Sequence, residues 1–119
     1  GGGIYFSDSS ILMDSTIIIA NSSSSSGGGF YSTNCDIHIE NSIVKQNNSY
    51  GGGGFTLENV NLLMKSSLID SNYSVHEGGG ILINNNSNQV VELYNSVIEN
   101  NISSSDGYLH HNISFSSIN

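Results

Sequence analysis

The sequence predicts an all-β chain wound as a parallel β-helix, a β-solenoid with about 26 residues and three short strands per coil, four full coils and a partial fifth. Three observations lead there. A Gly triplet recurs at 1–3, 27–29, 52–54 and 78–80, each time followed by a large apolar residue: Ile4, Phe30, Phe55 or Ile81. The last glycines of the triplets are 26, 25 and 26 residues apart, and a degenerate fifth start, Gly107-Tyr108, follows after 27. Behind each triplet the same residue classes return in register, and each full repeat closes on an asparagine: Asn21, Asn47, Asn72 and Asn101. A period of this length is the mark of stacked repeats.

The elements follow in order. The glycines make the turn that opens each coil, because Gly permits positive φ and close approach of another backbone. The first strand starts at the apolar residue behind them. The second is carried by Ile11, Ile37 and Leu62 and, two residues on, by Met13, Ile39 and Met64. Runs such as Ile37-His38-Ile39 alternate with period two, as a half-buried strand does. In the fourth repeat the equivalent pair, Val91 and Leu93, is displaced by three residues, so the polar run 84–88 reads as an enlarged loop. A turn at Ser15, Asn41, Ser66 and Asn95 leads to Thr16, Ser42, Ser67 and Ser96. The third strand then carries two apolar columns, Ile17, Ile43, Leu68, Val97 and Ile18, Val44, Ile69, Ile98.

No stretch offers a useful helical stripe, and Ser, Asn and Gly are poor helix formers. A leucine-rich repeat has a similar period but needs a Leu-rich consensus and a helical return. Coils stacked at about 4.8 Å place like residues over like, so every column becomes a ladder along the axis. Residues 22–29 alone would pass for a flexible Gly/Ser linker; their phasing with the strands argues against it. The five coils (1–26, 27–51, 52–77, 78–106, 107–119) form one solenoid segment. It opens inside a repeat without an initiator Met and shows no cap at either end, so it is expected to be a window of a longer repeat protein.

Composition narrows the function. Ten Asp and Glu stand against two Lys and no Arg, which disfavours a groove for nucleic acid, where cationic side chains must neutralise phosphates. No apolar run is long enough to span a bilayer, so no membrane insertion is expected within the window. The 24 Ser and 17 Asn make its polarity largely uncharged, as suits an extracellular or cell-surface protein. Cys35 has no internal disulfide partner; it is a free or buried small residue, or else pairs with another chain.

Each closing Asn has Ser two residues later, an N-glycosylation acceptor pattern at Asn21, Asn47, Asn72 and Asn101, and Asn85 and Asn112 add two more. Two readings are open. The phased four are either a row of sugars about 5 Å apart on the coil edge, or an internal ladder of amides bonded to one another and to backbone. The Ser22–Ser26 run is a plain turn or an O-linked sugar site.

The Gly-Gly-apolar turn at Ile4, Phe30, Phe55 and Ile81, combined with apolar-x-x-Asn at Ile18–Asn21, Val44–Asn47, Ile69–Asn72 and Ile98–Asn101, resembles the repeats of polymorphic outer membrane protein-type surface β-helices. The resemblance covers residues 1 to about 103. It departs from that family in carrying Ile or Val where a Phe is usual in the second motif. The Ser/Asn bias and the lack of Arg differ as well. It implies a right-handed parallel β-helix used for display or adhesion.

Parallel β-helices also house pectate lyases and polygalacturonases. Enzymes resembling the lyases use a carboxylate cluster with a basic residue, commonly Arg, which this chain lacks. Glycoside hydrolysis needs two suitably separated carboxyl groups. Here Asp14 and Glu40 are followed in their column by Lys65, and Lys45 is followed by Asp70 and Glu99, which reads as surface charge pairing. His38, His76, His110 and His111 occupy unrelated repeat positions, the calcium nonapeptide is absent, and three Thr cannot make an ice-binding face. No catalysis, metal site or cofactor is expected.

Ile17, Ile43, Leu68 and Val97 raise one further question. Adjacent residues of a strand point to opposite faces. Either this column is an exposed apolar assembly stripe, or a bend tucks it inside with its neighbour. The function expected is structural: an extracellular, glycosylated solenoid segment of a surface or filament-forming protein. Its partners would be further copies, head-to-tail or lateral, or other surface proteins. The alternatives are an adhesin stalk presenting loops such as 84–88 to a partner and, after that, a fragment of a carbohydrate-active β-helix enzyme.

Overall fold

The structure, a computed structural model, describes residues 1–86 and 88–104 and the backbone strand of 113–115. Its described residues contain strands and no helix. The first coil holds β1 (Ile4–Ser7), β2 (Ser10–Asp14) and β3 (Ile17–Ile19). The second holds β4 (Phe30–Thr33), β5 (Asp36–Glu40), β6 (Ile43–Lys45) and β7 (Asn48–Ser49). The third repeats this as β8 (Phe55–Glu58), β9 (Asn61–Lys65), β10 (Leu68–Asp70) and β11 (Tyr73–Ser74). The fourth has β12 (Ile81–Asn84), β13 (Val91–Tyr94), β14 (Val97–Glu99) and β15 (Ile102–Ser103), and β16 (Ile113–Phe115) opens a fifth.

Strands pair only with their counterparts in neighbouring coils, always parallel, in four sheets: β1-β4-β8-β12-β16, β2-β5-β9-β13, β3-β6-β10-β14 and β7-β11-β15. The register is the one the columns demand. Ile4 stacks on Phe30, Phe55 and Ile81, and Ile18 on Val44, Ile69 and Ile98. Val91 and Leu93 lie over Leu62 and Met64, so the three-residue displacement is taken up between β12 and β13. The fifth start at Gly107, together with His110, His111 and Asn112, lies outside the described residues.

The fourth sheet is a difference from the expected three strands per coil. Its strands are only two residues long, and their inward side chains are Ser49, Ser74 and Ser103, not apolar groups. Hydrophobic alternation therefore could not reveal them.

At three of the four corners, except after β12, one left-handed residue stands immediately after the strand. Asp8, Asn34 and Asn59 turn the first corner, with φ of 51°, 55° and 55°. Ser15, Asn41, Ser66 and Asn95 turn the second, and Ala20, Gln46, Ser71 and Asn100 the third. Short polar side chains tolerate this region best because they bond locally. At the fourth corner Gly27, Gly52 and Gly78 have φ of 68°, 67° and 65°.

The interior is filled by the stacked columns. Phe30 and Phe55 lie face to face at 4.4 Å, with Phe6 edge-on to Phe30 at 6.0 Å. Ile39, Leu57, Met64, Ile69, Ile81 and Ile83 are fully buried around them. Cys35 is buried and free, its thiol 3.2 Å from the Thr33 carbonyl.

Candidate functional site

Two longitudinal features stand out on this frame: a polar ladder inside and an apolar column outside. The ladder begins with the closing asparagines. Asn47 Oδ1 accepts the backbone N–H of Asn21 at 2.9 Å and its side-chain amide at 3.1 Å. Asn47 Nδ2 donates to Asn72 Oδ1 at 3.0 Å and to the Ile18 carbonyl at 3.1 Å. Asn72 repeats the pattern one coil on, accepting from Asn47 N–H and Nδ2 and donating to Asn101 Oδ1 at 2.9 Å and the Val44 carbonyl at 3.0 Å. Asn101 Nδ2 reaches the Ile69 carbonyl at 3.0 Å. Each internal rung thus uses both amide hydrogens and both acceptor sites, which is what makes a buried amide tolerable.

Of the two readings of this row, the geometry is that of the ladder. Asn47, Asn72 and Asn101 are 1%, 1% and 3% exposed. An N-linked sugar would replace a hydrogen that already bonds the next coil, in a space with no room for it. Asn21, at the end of the row, is half-buried and donates its backbone N–H and a side-chain amide hydrogen to Asn47 Oδ1. The Asn-x-Ser pattern has a structural origin. Residues alternate in, out, in along this edge, so the exposed middle residues, Asn48, Tyr73 and Ile102, are followed by an inward serine. The Ser49 hydroxyl donates to Gly51 O at 2.8 Å and the Ser74 hydroxyl to Glu77 O at 3.0 Å, holding the loop that leads into the glycines. Ser74→Ala is expected to lower stability by about 1–2 kcal/mol, read from the urea midpoint at unchanged slope.

Asn85 is half-buried and also engaged. It accepts the Val60 N–H at 2.9 Å and donates to the Val60 carbonyl at 2.8 Å, which continues the coil edge in place of a strand. Asn112 lies outside the described residues.

A second polar column, whose role the sequence reading left unassigned, closes the corner before the third strand. The Thr16 N–H donates to Ser42 Oγ, Ser42 N–H to Ser67 Oγ and Ser67 N–H to Ser96 Oγ, at 3.1, 3.1 and 3.2 Å. Each of these serines donates back to its own strand, Ser42 to Glu40 O, Ser67 to Lys65 O and Ser96 to Tyr94 O. The signal was the invariance of a small hydroxyl residue at one repeat position.

The outer face of the β3-β6-β10-β14 sheet holds the apolar column. Ile17 and Val97 are 63% and 48% exposed, and Ile43 and Leu68 between them are half-buried by their ladder neighbours. The adjacent inward column contains Ile18, Val44 and Ile69, at 5%, 2% and 0%. No bend brings both inside. Beside the apolar column runs a second outward row of Ile19, Lys45, Asp70 and Glu99. Polar residues border the face, Asn41, Ser66 and Asn95 on one side and Gln46, Ser71 and Asn100 on the other.

Charges elsewhere are held by neighbours on the surface. The hydroxyl of Ser7 and the amide of Asn34 keep the Asp8 carboxyl below its ordinary range. The Asn61 amide donates to the Asp36 carboxylate at 2.7 Å. Burial, with the neighbouring Glu58, pushes the Tyr31 phenol up. His38 stands between Leu12 and Leu63 on the outer face of the second sheet, 3.5 Å from Glu40. His76 packs against Tyr50 at 5.3 Å. Asp14, Glu40 and Lys65 do form one column, continued by Tyr94. Among the described residues no group of three or more His, Cys, Asp or Glu is arranged to hold a metal ion. No protein-family profile, curated protein or solved structure matches the chain.

Proposed function

We propose that the chain is a structural element, a rigid solenoid segment of a surface or filament-forming protein whose work is spacing and presentation. The observation that carries this reading is the outer apolar column, four residues in line on a backbone whose spacing is fixed by the ladders beneath it. Long exposed apolar strips are features of contact surfaces, and the interior ladders supply the stiffness. The resemblance of the Gly-Gly-apolar and apolar-x-x-Asn motifs to surface β-helix repeats supports an extracellular setting. The sugar coat is not part of the proposal, because the asparagine row it needs faces inward.

The column should be dispensable for folding. Leu68→Thr keeps a β-forming residue on the outer face and is expected to change stability by less than about 1 kcal/mol, measured by thermal unfolding. The location is tested by antibody labelling of the source cells. Labelling of intact cells is expected; labelling only after permeabilisation would overturn the extracellular reading.

A further inference from the structure

We infer that the outer face of the β3-β6-β10-β14 sheet pairs with the same face of a second copy of this chain, with the two solenoid axes antiparallel. The inference rests on the structural reading above and names the partner of its apolar column. The face carries two rows along the axis: Ile17, Ile43, Leu68, Val97, and Ile19, Lys45, Asp70, Glu99. An isologous pair has a two-fold axis lying in the contact plane. If that axis ran along the solenoid between the rows, the strands would oppose and every apolar residue would face the mixed row, with Leu68 set on Asp70 of the second copy. If it ran along the apolar column, that column would meet itself but Lys45 and Asp70 would face no opposite charge of the second copy. If it runs along the strands, each row meets itself in reverse order.

The last arrangement is the complementary one. With the axis between the second and third coils, Ile43 meets Leu68 of the second copy and Ile17 meets Val97 of the second copy. Lys45 then faces Asp70 of the second copy, and this happens twice by symmetry. No like charges oppose one another; the one poor match is Ile19 against Glu99 of the second copy. Moving the axis onto the second coil would set Lys45 against itself. Moving it onto the third would set Asp70 against itself and leave the first coil uncovered. Charge order therefore selects both the orientation and the register, and the bordering Asn, Gln and Ser form a polar rim. The strip is narrow against the roughly 800 Å² per partner of a stable interface, so the pairing is weak and is measured at high protein concentration.

The test uses the full chain and two charge reversals, K45D and D70K. Sedimentation of the unaltered chain is expected to show a concentration-dependent dimer, and each reversal alone to weaken it at least about tenfold. An equal mixture of the two variants should recover the unaltered affinity, because Asp at 45 of one chain then faces Lys at 70 of the other. Only an interchain contact gives that recovery; a loss of folding within each variant cannot. Because Lys45 and Asp70 are also ladder neighbours within one chain, carbodiimide treatment is applied to an equal mixture of isotope-labelled and unlabelled chain, and mixed-label Lys45–Asp70 peptides are expected from the dimer band. A chain that stays monomeric, a mixture that fails to recover, or a dimer joined elsewhere would overturn the inference. Those results would leave the surface-labelling test of the structural role untouched, and intracellular labelling would leave this pairing untouched.

Discussion

Replacing Asn72 by Asp is expected to destabilise the solenoid by more than about 4 kcal/mol at neutral pH, beyond the cost of Asn72→Ala. The alanine leaves Asn47 N–H and Nδ2 without their acceptor and removes the two side-chain hydrogens given to Asn101 Oδ1 and the Val44 carbonyl, while the backbone N–H of residue 72 still donates to Asn101 Oδ1. The aspartate keeps the acceptor but turns a carboxylate oxygen toward Asn101 Oδ1 and the Val44 carbonyl, the two oxygens that the amide hydrogens met, and buries a charge at a site 1% exposed. The pH dependence separates the two variants. Burial raises the folded-state pKa of the new carboxyl above its unfolded value of about 3.9. The folded state then binds more protons than the unfolded state, so stability falls as pH rises from about 4 upward. Below that, the protonated acid can donate one of the missing bonds, and the penalty over Asn72→Ala should shrink. Urea unfolding of both variants across this pH range reads the effect.

Gly53→Ala is the second large loss, at about 4 kcal/mol or more. A Cβ there would lie 2.2 Å from the Gly79 carbonyl oxygen and 2.5 Å from that of Tyr73. Both are backbone atoms of the coil wall, and Gly53 itself donates to Gly78 O at 2.9 Å, so the coil cannot move away without breaking its ladder. Gly51 is the control. Its Cβ would meet only the Leu82 Cδ2 end, at 3.2 Å, and its φ is not in the left-handed region. Gly51→Ala is expected to stay within about 1 kcal/mol of the original. Thermal unfolding of the pair distinguishes a specific close approach from a general need for glycine near the corner.

Much of the fold was readable because a solenoid repeats its evidence. Ile37 alone says little, but Ile11, Ile37 and Leu62 at one repeat position define a ladder, and β13 shows that even the displaced Val91 keeps it. Apolar periodicity also placed the Ile17 column on a strand, yet could not choose its face. Burial of Ile18, Val44 and Ile69 decides that. What periodicity missed is polar. β7 and β11 alternate in and out like other strands, but their inward residues are Ser49 and Ser74, and only hydrogen-bond geometry identifies them. The same blindness left Asn47 and Asn72 open between sugar and ladder, because Asn-x-Ser is both an acceptor pattern and an in-out-in step. The corners were half visible. Gly27, Gly52 and Gly78 announced one of them, while Ala20 and Gln46 take positive φ without any local signal.

The central claim is that the asparagine row is the interior seam of the solenoid. Hydrogen exchange at the side-chain amides, followed by nuclear magnetic resonance, tests it most directly. Asn47 and Asn72 Nδ2 protons should persist far longer than those of the exposed Asn41 and Asn48, because their exchange requires the coils to open. Exchange of all four at one common fast rate would contradict the ladder, and with it the account of how these coils are held together.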